Sequence, residues 1–223
     1  MGHVSFNGLR LLSAPGQVMT PRPTSEQLVA AAAARVGTRR ARIADVGTGS
    51  GAIAIAIATV CPRAEVWATD ASRCSVALAR ANVRRHRLEG RVVVRYGDLL
   101  GPVPGLLDLI VANLPYVAAS TAGDHPDLER EPFAAVFAPG DGLEPYRRLV
   151  DTAPARLAEN GVLLLQLHRR VVAAGRPSCR RSARRWTGPL SADRRVLLLP
   201  TKSSELRRDA LALSVAFAAS RRR

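Results

Sequence analysis

The amino-acid sequence predicts an α/β fold built around a mostly parallel sheet with helices on both faces. Short apolar segments alternate with helix-like segments, and strands that are joined by helices in this way pair in parallel. The length of 223 residues and the hydrophobic share of 47% fit one well-buried domain. The segments that favour strands are 41–46, 64–70, 91–98, 106–113 and 161–167.

Four further segments have the composition and spacing of helices. They are 24–36, 52–60, 72–88 and 141–160. Thr24 or Ser25 is the expected N-cap of the first, because a hydroxyl at that position accepts a hydrogen bond from a free backbone N–H. The third carries Val76, Ala79 and Val83 at helical spacing, which indicates one buried face.

Positive charge is concentrated at the C-terminal end. Residues 169–223 hold 15 basic and three acidic residues, so they carry +12 of the formal net charge of +15. We therefore expect a near-neutral domain over residues 1–168 and a divergent Arg-rich segment over 169–223, in which VLLL (196–199) can close the sheet. The arginines fit either an RNA or ribosome footprint or a solvated tail. The tail is favoured, because only Trp186 adds an aromatic ring among them.

A glycine-rich turn, DVGTGSG (45–51), connects the first of these strands to the second helix. Glycines let the backbone approach a ligand closely, and a helix N-terminus attracts an anionic group. Asp70 ends the second strand, where a carboxylate can accept both hydroxyls of a ribose, and Asp98 ends the third, within reach of an adenine amino group. Together these features predict a nucleoside-binding crevice at the carboxyl ends of the strands.

The fourth strand ends in Asn113-Leu114-Pro115-Tyr116. These residues suit methylation of a planar NH2 group, whose nitrogen is a weak nucleophile because its lone pair is delocalised. Asn113 can accept one N–H through its side-chain oxygen, and the Leu114 carbonyl can accept the other. Pro115 holds the turn and Tyr116 can stack on the flat group, so that the nitrogen is aimed at a methyl donor.

The tight Gly-x-Gly-x-Gly loop with an acid before it resembles the cofactor loop of class I methyltransferases. That resemblance implies a Rossmann-like fold with a mostly parallel seven-stranded sheet and S-adenosyl-L-methionine as cofactor. It places Asp70 on the ribose, Asp98 and Leu99 on the adenine, and Asn113 beside the cofactor. The residues implied to hold the methionine part are Asp45, Gly47, Thr48, Gly49, Ser50 and Gly51.

Three segments resemble the protein glutamine-N5 methyltransferases that modify peptide chain release factors. TPRPTSEQLV (20–29) resembles a Pro-Arg-Pro block, and the glycine loop through NLPY matches the central motifs. Residues 129–167 resemble the block that follows, including Glu131 and the Gly-Asp-Gly-Leu segment 140–143. The resemblance implies methylation of a glutamine side-chain amide in a release factor. The residues it implies at the substrate are Pro21, Arg22, Pro23, Asn113 and Tyr116.

The chain departs from this pattern at four places. Leu114 stands where these enzymes commonly have proline, and in this it resembles the rRNA adenine dimethyltransferases. Gln166 stands where an acid usually ends the fifth strand. The resemblance fades after His168. The N-terminal helical domain that engages the release factor is expected to be absent.

Two alternatives stay open at this point. A nucleic-acid adenine or cytosine N-methyltransferase, acting on rRNA or DNA, shares the NLPY chemistry, and a non-catalytic cofactor-binding or RNA-associated protein would need only the crevice. We expect a cytoplasmic protein with reduced thiols at Cys61, Cys74 and Cys179. Neither a membrane nor a metal partner is indicated, because no apolar run reaches the length of a membrane span and the histidines are scattered.

Overall fold

A computed structural model describes residues 1–128, 130–168 and 195–201 of the chain. Within these residues the strands are β1 Gly2–Phe6, β2 Leu9–Ser13, β3 Ala41–Val46, β4 Ala64–Asp70, β5 Val92–Tyr96, β6 Leu107–Ala112, β7 Val117–Ala118, β8 Phe137–Ala138, β9 Leu157–His168 and β10 Arg195–Thr201. The α-helices are α1 Glu26–Val36, α2 Ala52–Val60, α3 Arg73–Arg85, α4 Phe133–Val136 and α5 Glu144–Thr152.

The central sheet is parallel throughout and has the strand order β10-β9-β6-β3-β4-β5. This arrangement confirms the predicted α/β class. VLLL lies in β10, which pairs with β9 as the sequence suggested. The described part of the chain supplies six of the seven expected strands. Residues 169–194 and 202–223 lie outside the described residues.

Helices cover both faces of this sheet. Neighbouring residues on a strand point to opposite faces, so Ile43 packs in one hydrophobic cluster and Ala44 in another. The first cluster joins the sheet to α1, α2 and α3, whereas the second joins it to α5. The carboxyl ends of the central strands therefore lie between two packed layers, which holds them in fixed positions.

The predicted helix over 141–160 was wrong at its C-terminal end. Helix α5 stops at Thr152, a short 3-10 turn covers Ala153–Ala155, and β9 already begins at Leu157. Pro154 lies in that turn and has no backbone N–H to continue an α-helix. Leu157 instead pairs with Leu107 at the start of β6.

The first 13 residues form an antiparallel hairpin, β1–β2, that the sequence analysis did not identify. Its turn is Asn7-Gly8, with φ angles of 49° and 76°. Both residues take the left-handed conformation that a two-residue hairpin turn requires, and Asn-Gly between apolar residues is a strong signal for it. The signal was therefore present in the sequence.

The expected N-cap of α1 has the predicted position but lacks the predicted hydrogen bond. Pro23–Ser25 form a 3-10 turn that leads into the helix, and Ser25 occupies the N-cap position. Its side chain makes no capping hydrogen bond. Ser25 is only 3% exposed, and its hydroxyl is used elsewhere, in the site described below.

Candidate functional site

Three strands end side by side at one edge of the central sheet. Val46 of β3 is in register with Thr69 of β4 on one side and with Ala112 of β6 on the other. The next residues along the chain are Gly47, Asp70 and Asn113, which are the first members of three predicted site motifs. Because parallel strands end at the same edge, the register alone brings these motifs together.

These strand ends surround a cavity of about 400 Å³. It is lined by most of the residues that the sequence assigned to a site: Pro21, Arg22, Gly47, Thr48, Gly49, Ser50, Asp70, Asp98, Leu99, Asn113, Leu114 and Pro115. Four assigned residues are not among those that line it: Pro23, Asp45, Gly51 and Tyr116. One crevice therefore gathers twelve of the sixteen assigned residues, and these four do not line it.

Asp45 lies beneath the glycine loop and has no exposed surface. Its Oδ2 accepts hydrogen bonds from Thr48 Oγ1 at 2.6 Å and from the Ala54 N–H at 3.1 Å, which ties the loop to the first turn of α2. Burial raises the pKa of Asp45 to about 7, and the hydrogen bonds from Thr48 and Ala54 oppose that shift. The observed contacts of Asp45 are thus with the loop.

Asp70 is half-buried where β4 meets the cavity. Its Oδ2 accepts a hydrogen bond from the Gly49 N–H at 2.8 Å, and its Oδ1 accepts one from the Ser72 N–H at 2.8 Å. Burial raises the pKa of Asp70, while these two backbone N–H groups lower it. The carboxylate is therefore held in one orientation against the glycine loop.

Asp98 and Leu99 lie at the far end of the cavity. The Asp98 carboxylate forms an ion pair with Arg148 of α5, and both side chains are at least half exposed. Leu99 has a left-handed φ of 44°, and its carbonyl accepts a hydrogen bond from Thr69 Oγ1 at 2.8 Å. Arg148, which also lines the cavity, was not identified from the sequence.

Asn113 is fixed by a residue that lies 88 positions earlier in the chain. Its Nδ2 donates a hydrogen bond to Ser25 Oγ at 3.0 Å. With the amide nitrogen engaged in this way, the side-chain oxygen is the atom left to accept a hydrogen bond from a ligand. Ser25 is thus a site residue, and the sequence analysis had given it only a capping role.

Leu114 packs directly on the glycine loop. A Cβ atom on Gly47 would lie 2.6 Å from Leu114 Cδ2, at the tip of that side chain, and the positive φ of 73° is what favours glycine there. The main chain of Leu114 meets the buried Tyr146 of α5. Tyr146 Oη lies 3.0 Å from the Leu114 nitrogen and 3.0 Å from its carbonyl oxygen.

Tyr116 is half-buried against the second hydrophobic cluster. The chain around it is packed closely by Gly142, where a Cβ atom would lie 2.7 Å from the Tyr116 carbonyl oxygen. Gly142 belongs to the Gly-Asp-Gly-Leu segment and has a φ of 84°. That segment supports the NLPY turn from the side away from the cavity.

The two outer blocks of the sequence meet at the cavity. Glu131 Oε2 accepts a hydrogen bond from the Thr20 N–H at 3.1 Å, and Glu131 Oε1 lies 3.5 Å from Arg22 Nη2. The Glu131 side chain is only 12% exposed. Thr20, Arg22 and Pro132 all line the cavity, so this contact joins one wall to the other.

Asn82 braces the glycine loop from behind and was missed by the sequence analysis. Its Nδ2 donates to the Ser50 carbonyl at 2.9 Å and to the Leu12 carbonyl at 3.1 Å, and its Oδ1 accepts from the Leu12 N–H at 2.7 Å. It is fully buried on α3. Its position beside Ala79 and Val83, on the apolar face, was the available signal.

Metal-binding clusters and membrane-spanning helices are both absent from the described ranges. No group of three or more His, Cys, Asp or Glu side chains there is placed to hold a metal ion. None of the helices in the same ranges combines the length and the apolar character needed to cross a membrane.

The model of the methyltransferase small domain family matches residues 23–126. The chain is also similar to a methyltransferase from Pyrococcus furiosus, with a TM-score of 0.50, 20% identity and 69% of this chain and 66% of that one covered. A Thermus thermophilus 16S rRNA N2 G1207 methyltransferase gives a TM-score of 0.53 and 22% identity over 74% of this chain and 40% of that one. Fold and site together define a class I, Rossmann-like methyltransferase.

Curated relatives identify the family within this class. The release factor glutamine methyltransferase of Moorella thermoacetica is 40% identical over 169 residues, which cover 74% of this chain and 59% of that protein. The Gloeobacter violaceus enzyme of the same name is 34% identical over 200 residues, covering 84% and 70%. The chain belongs to the release factor glutamine methyltransferase family. It spans about six tenths of the length of the Moorella relative.

Proposed function

We propose that this protein transfers a methyl group from S-adenosyl-L-methionine to the side-chain amide nitrogen of a glutamine in a peptide chain release factor. Membership of the family supports this assignment. The observation that carries it is the orientation of the Asn113 amide, which donates through its nitrogen to Ser25 Oγ at 3.0 Å. Its oxygen is thereby presented as an acceptor beside the cavity.

The residues of the cavity fit the cofactor. A carboxylate accepts about four hydrogen bonds, and the Asp70 carboxylate has accepted one on each oxygen, so both oxygens can still accept a ribose hydroxyl. We assign Asp98 and Leu99 to the adenine, and the glycine loop to the methionine part. Asp45 acts through the loop that it holds. When bound, the cofactor supplies a methyl group on a positively charged sulfur.

Asn113 and Leu114 are the residues that hold the acceptor. A glutamine amide has two N–H groups, one for the Asn113 side-chain oxygen and one for the Leu114 carbonyl. Gripping both fixes the nitrogen in position and favours localisation of its lone pair as the new C–N bond forms and the C–S bond breaks. The extra proton then leaves the nitrogen for solvent, so no strong base is needed.

Arg22 and Pro21 form the wall on the acceptor side, with Glu131 holding Arg22 in place. We assign substrate contact to these two residues. Pro23 begins the turn that carries Ser25, and Tyr116 continues the turn that carries Asn113. These two residues therefore support the site from outside the cavity lining.

The test is a transfer assay with radiolabelled S-adenosylmethionine and two acceptors, a release factor and ribosomal RNA. We expect label in the release factor, located on one glutamine by mass spectrometry and lost when that glutamine is changed to glutamate. Label in RNA alone would overturn the proposal and favour a nucleic-acid methyltransferase. Calorimetric binding of the cofactor without transfer to either acceptor would favour a non-catalytic protein.

We place the activity in residues 1–168, with the Arg-rich segment completing the sheet through β10. A weak contact of that segment with RNA or the ribosome is proposed only from its charge of +12. A cytoplasmic location follows from the proposed substrate. Footprinting of the protein on ribosomes at low and physiological salt tests the contact, which is expected to weaken steeply as salt rises.

A further inference from the structure

Tyr146 is a large side chain with no exposed surface, and in the described residues its hydroxyl has hydrogen bonds only to main-chain atoms. Its Oη lies 3.0 Å from the Leu114 nitrogen, 3.0 Å from the Leu114 carbonyl oxygen and 2.6 Å from the Gln166 carbonyl oxygen. The hydroxyl thus joins the NLPY turn to strand β9. These partners lie 32 and 20 residues away in the chain.

The hydroxyl has one proton and two carbonyl oxygens within hydrogen-bond reach, and the shorter distance favours the Gln166 carbonyl as its acceptor. The Leu114 N–H donates to Tyr146 Oη, and Tyr146 donates to the Gln166 carbonyl, which is the nearer of the two oxygens. The Leu114 carbonyl is then left with lone pairs for another donor. Because a carbonyl oxygen has two lone pairs, the contact that anchors the Leu114 peptide still allows that oxygen to accept from a further donor.

This contact matters because residue 114 is leucine. Proline is common at this position in the glutamine-N5 methyltransferases that the sequence resembles. It has no backbone N–H, and its ring fixes its own φ angle. Leucine has an N–H group that needs a hydrogen-bond partner once it is buried, and its backbone is less restricted than that of proline. Tyr146 satisfies that donor and limits the backbone in one interaction.

We propose that Tyr146 is a positioning residue, whose hydroxyl holds the Leu114 peptide so that its carbonyl faces the acceptor amide. This inference rests on the proposed function. Tyr146 does not touch the reacting atoms. It acts through Leu114 and takes over the constraint that a proline ring would supply.

The first test compares Tyr146→Phe with the wild-type protein on a glutamine-containing release factor. We expect kcat to fall about 10- to 100-fold and the Kd for S-adenosylmethionine to stay within about twofold, because only the acceptor side is displaced. In a Leu114→Pro background the same change should cost less than about threefold, since no N–H remains to be satisfied. Tyr96→Phe, at a tyrosine that is 48% exposed, is the matched control.

An equal loss of kcat in both backgrounds, or an unchanged kcat in Tyr146→Phe, would overturn the inference. A second measurement does not depend on activity. Hydrogen exchange of the Leu114 amide should accelerate at least about tenfold in Tyr146→Phe, while exchange at Ile110 in β6 stays as in the wild type. A wild-type protein without glutamine methylation would refute the proposed function, and unchanged Leu114 exchange would refute the anchoring itself.

Discussion

The two halves of the site are held by different kinds of contact. In the half proposed to bind the methyl donor, which comprises the glycine loop and Asp70 and is called the donor half, the partners are close in sequence: Thr48 and Asp45 are three residues apart, and Gly49 and Asp70 are 21 apart. In the acceptor half, comprising Asn113 and Leu114, the partners are distant: Asn113 and Ser25 are 88 residues apart.

This difference has a physical consequence. The donor half is built almost entirely by one β-α-β unit, so its contacts can form once that unit has folded. The acceptor half needs α1 and α5 to be docked on opposite faces of the sheet before its two holding residues have partners. Substitutions in the acceptor half should therefore reduce turnover, and substitutions in the donor half should reduce cofactor affinity.

The largest effect is expected for Asn113→Ala. It removes the oxygen proposed to accept a hydrogen bond from the acceptor amide, and we expect that bond to be stronger in the transition state than in the ground state. The kcat should therefore fall about 100- to 1,000-fold, with the cofactor Kd within about threefold of the wild type. Single-turnover transfer and calorimetry measure the two quantities. Asn160→Ala, at an exposed asparagine, is the matched control. Wild-type turnover in Asn113→Ala would remove the acceptor half from the mechanism.

Asp70→Ala should have the opposite effect, a loss of cofactor affinity with little change in turnover. It removes the carboxylate that accepts from Gly49 and Ser72, so the cofactor Kd should rise about 10- to 100-fold. At saturating cofactor, kcat should stay within about threefold of the wild type. Calorimetry checks the affinity, with Asp151→Ala as an exposed control. An unchanged Kd would contradict the role of Asp70.

Ser25→Ala tests the long-range contact itself. The Asn113 amide would lose the partner that orients it, and we expect kcat to fall about tenfold, with little change in cofactor binding. Ser25→Thr keeps a hydroxyl and should recover most of the activity. If both variants lose activity equally, the hydroxyl is not what holds Asn113, and the comparison between the halves would weaken.

The smallest effect concerns Asp45 and pH. The folded state raises the pKa of Asp45 from 3.8 to about 7, so it holds a proton that the unfolded chain has released. Its contribution to stability is complete below pH 3.8 and is lost as pH rises through about 7. From pH 6 to pH 8 the wild type should lose about 1 kcal/mol relative to Asp45→Asn, measured by urea unfolding.

The control for this measurement is Asp141→Asn. Arg147 lowers the pKa of the Asp141 carboxyl, so its contribution is lost only at acid pH and should be constant from pH 6 to pH 8. A difference between Asp45→Asn and the wild type that does not change with pH would show that Asp45 is ionised throughout the range.

The donor half could be predicted from sequence because its signals are local. Asp70 ends a strand, the glycines follow another, and parallel pairing places both at one edge. Asp45 was identified as well, although its contacts with Thr48 and Ala54 place it under the loop. A motif indicates which residues gather, but burial decides which of them reach a ligand.

The partners that position Asn113 and Leu114, namely Ser25 and Tyr146, could not be predicted, since their roles depend on the docking of distant helices. Ser25 has a local explanation as a helix cap, and nothing near it in sequence points to Asn113. Tyr146 looks like an ordinary core residue on α5. Strand β9 shows the same limit, because its early start at Leu157 is set by pairing with Leu107, 50 residues away.

The register between Val46 and Ala112 has one further consequence. Gly47 and Asn113 are the first residues beyond that pair, and Leu114 packs on Gly47. In the proposed reaction, the span that the methyl group crosses is therefore set by the spacing of two adjacent, paired strands. Loops at the rim can vary to suit a partner while this distance stays the same.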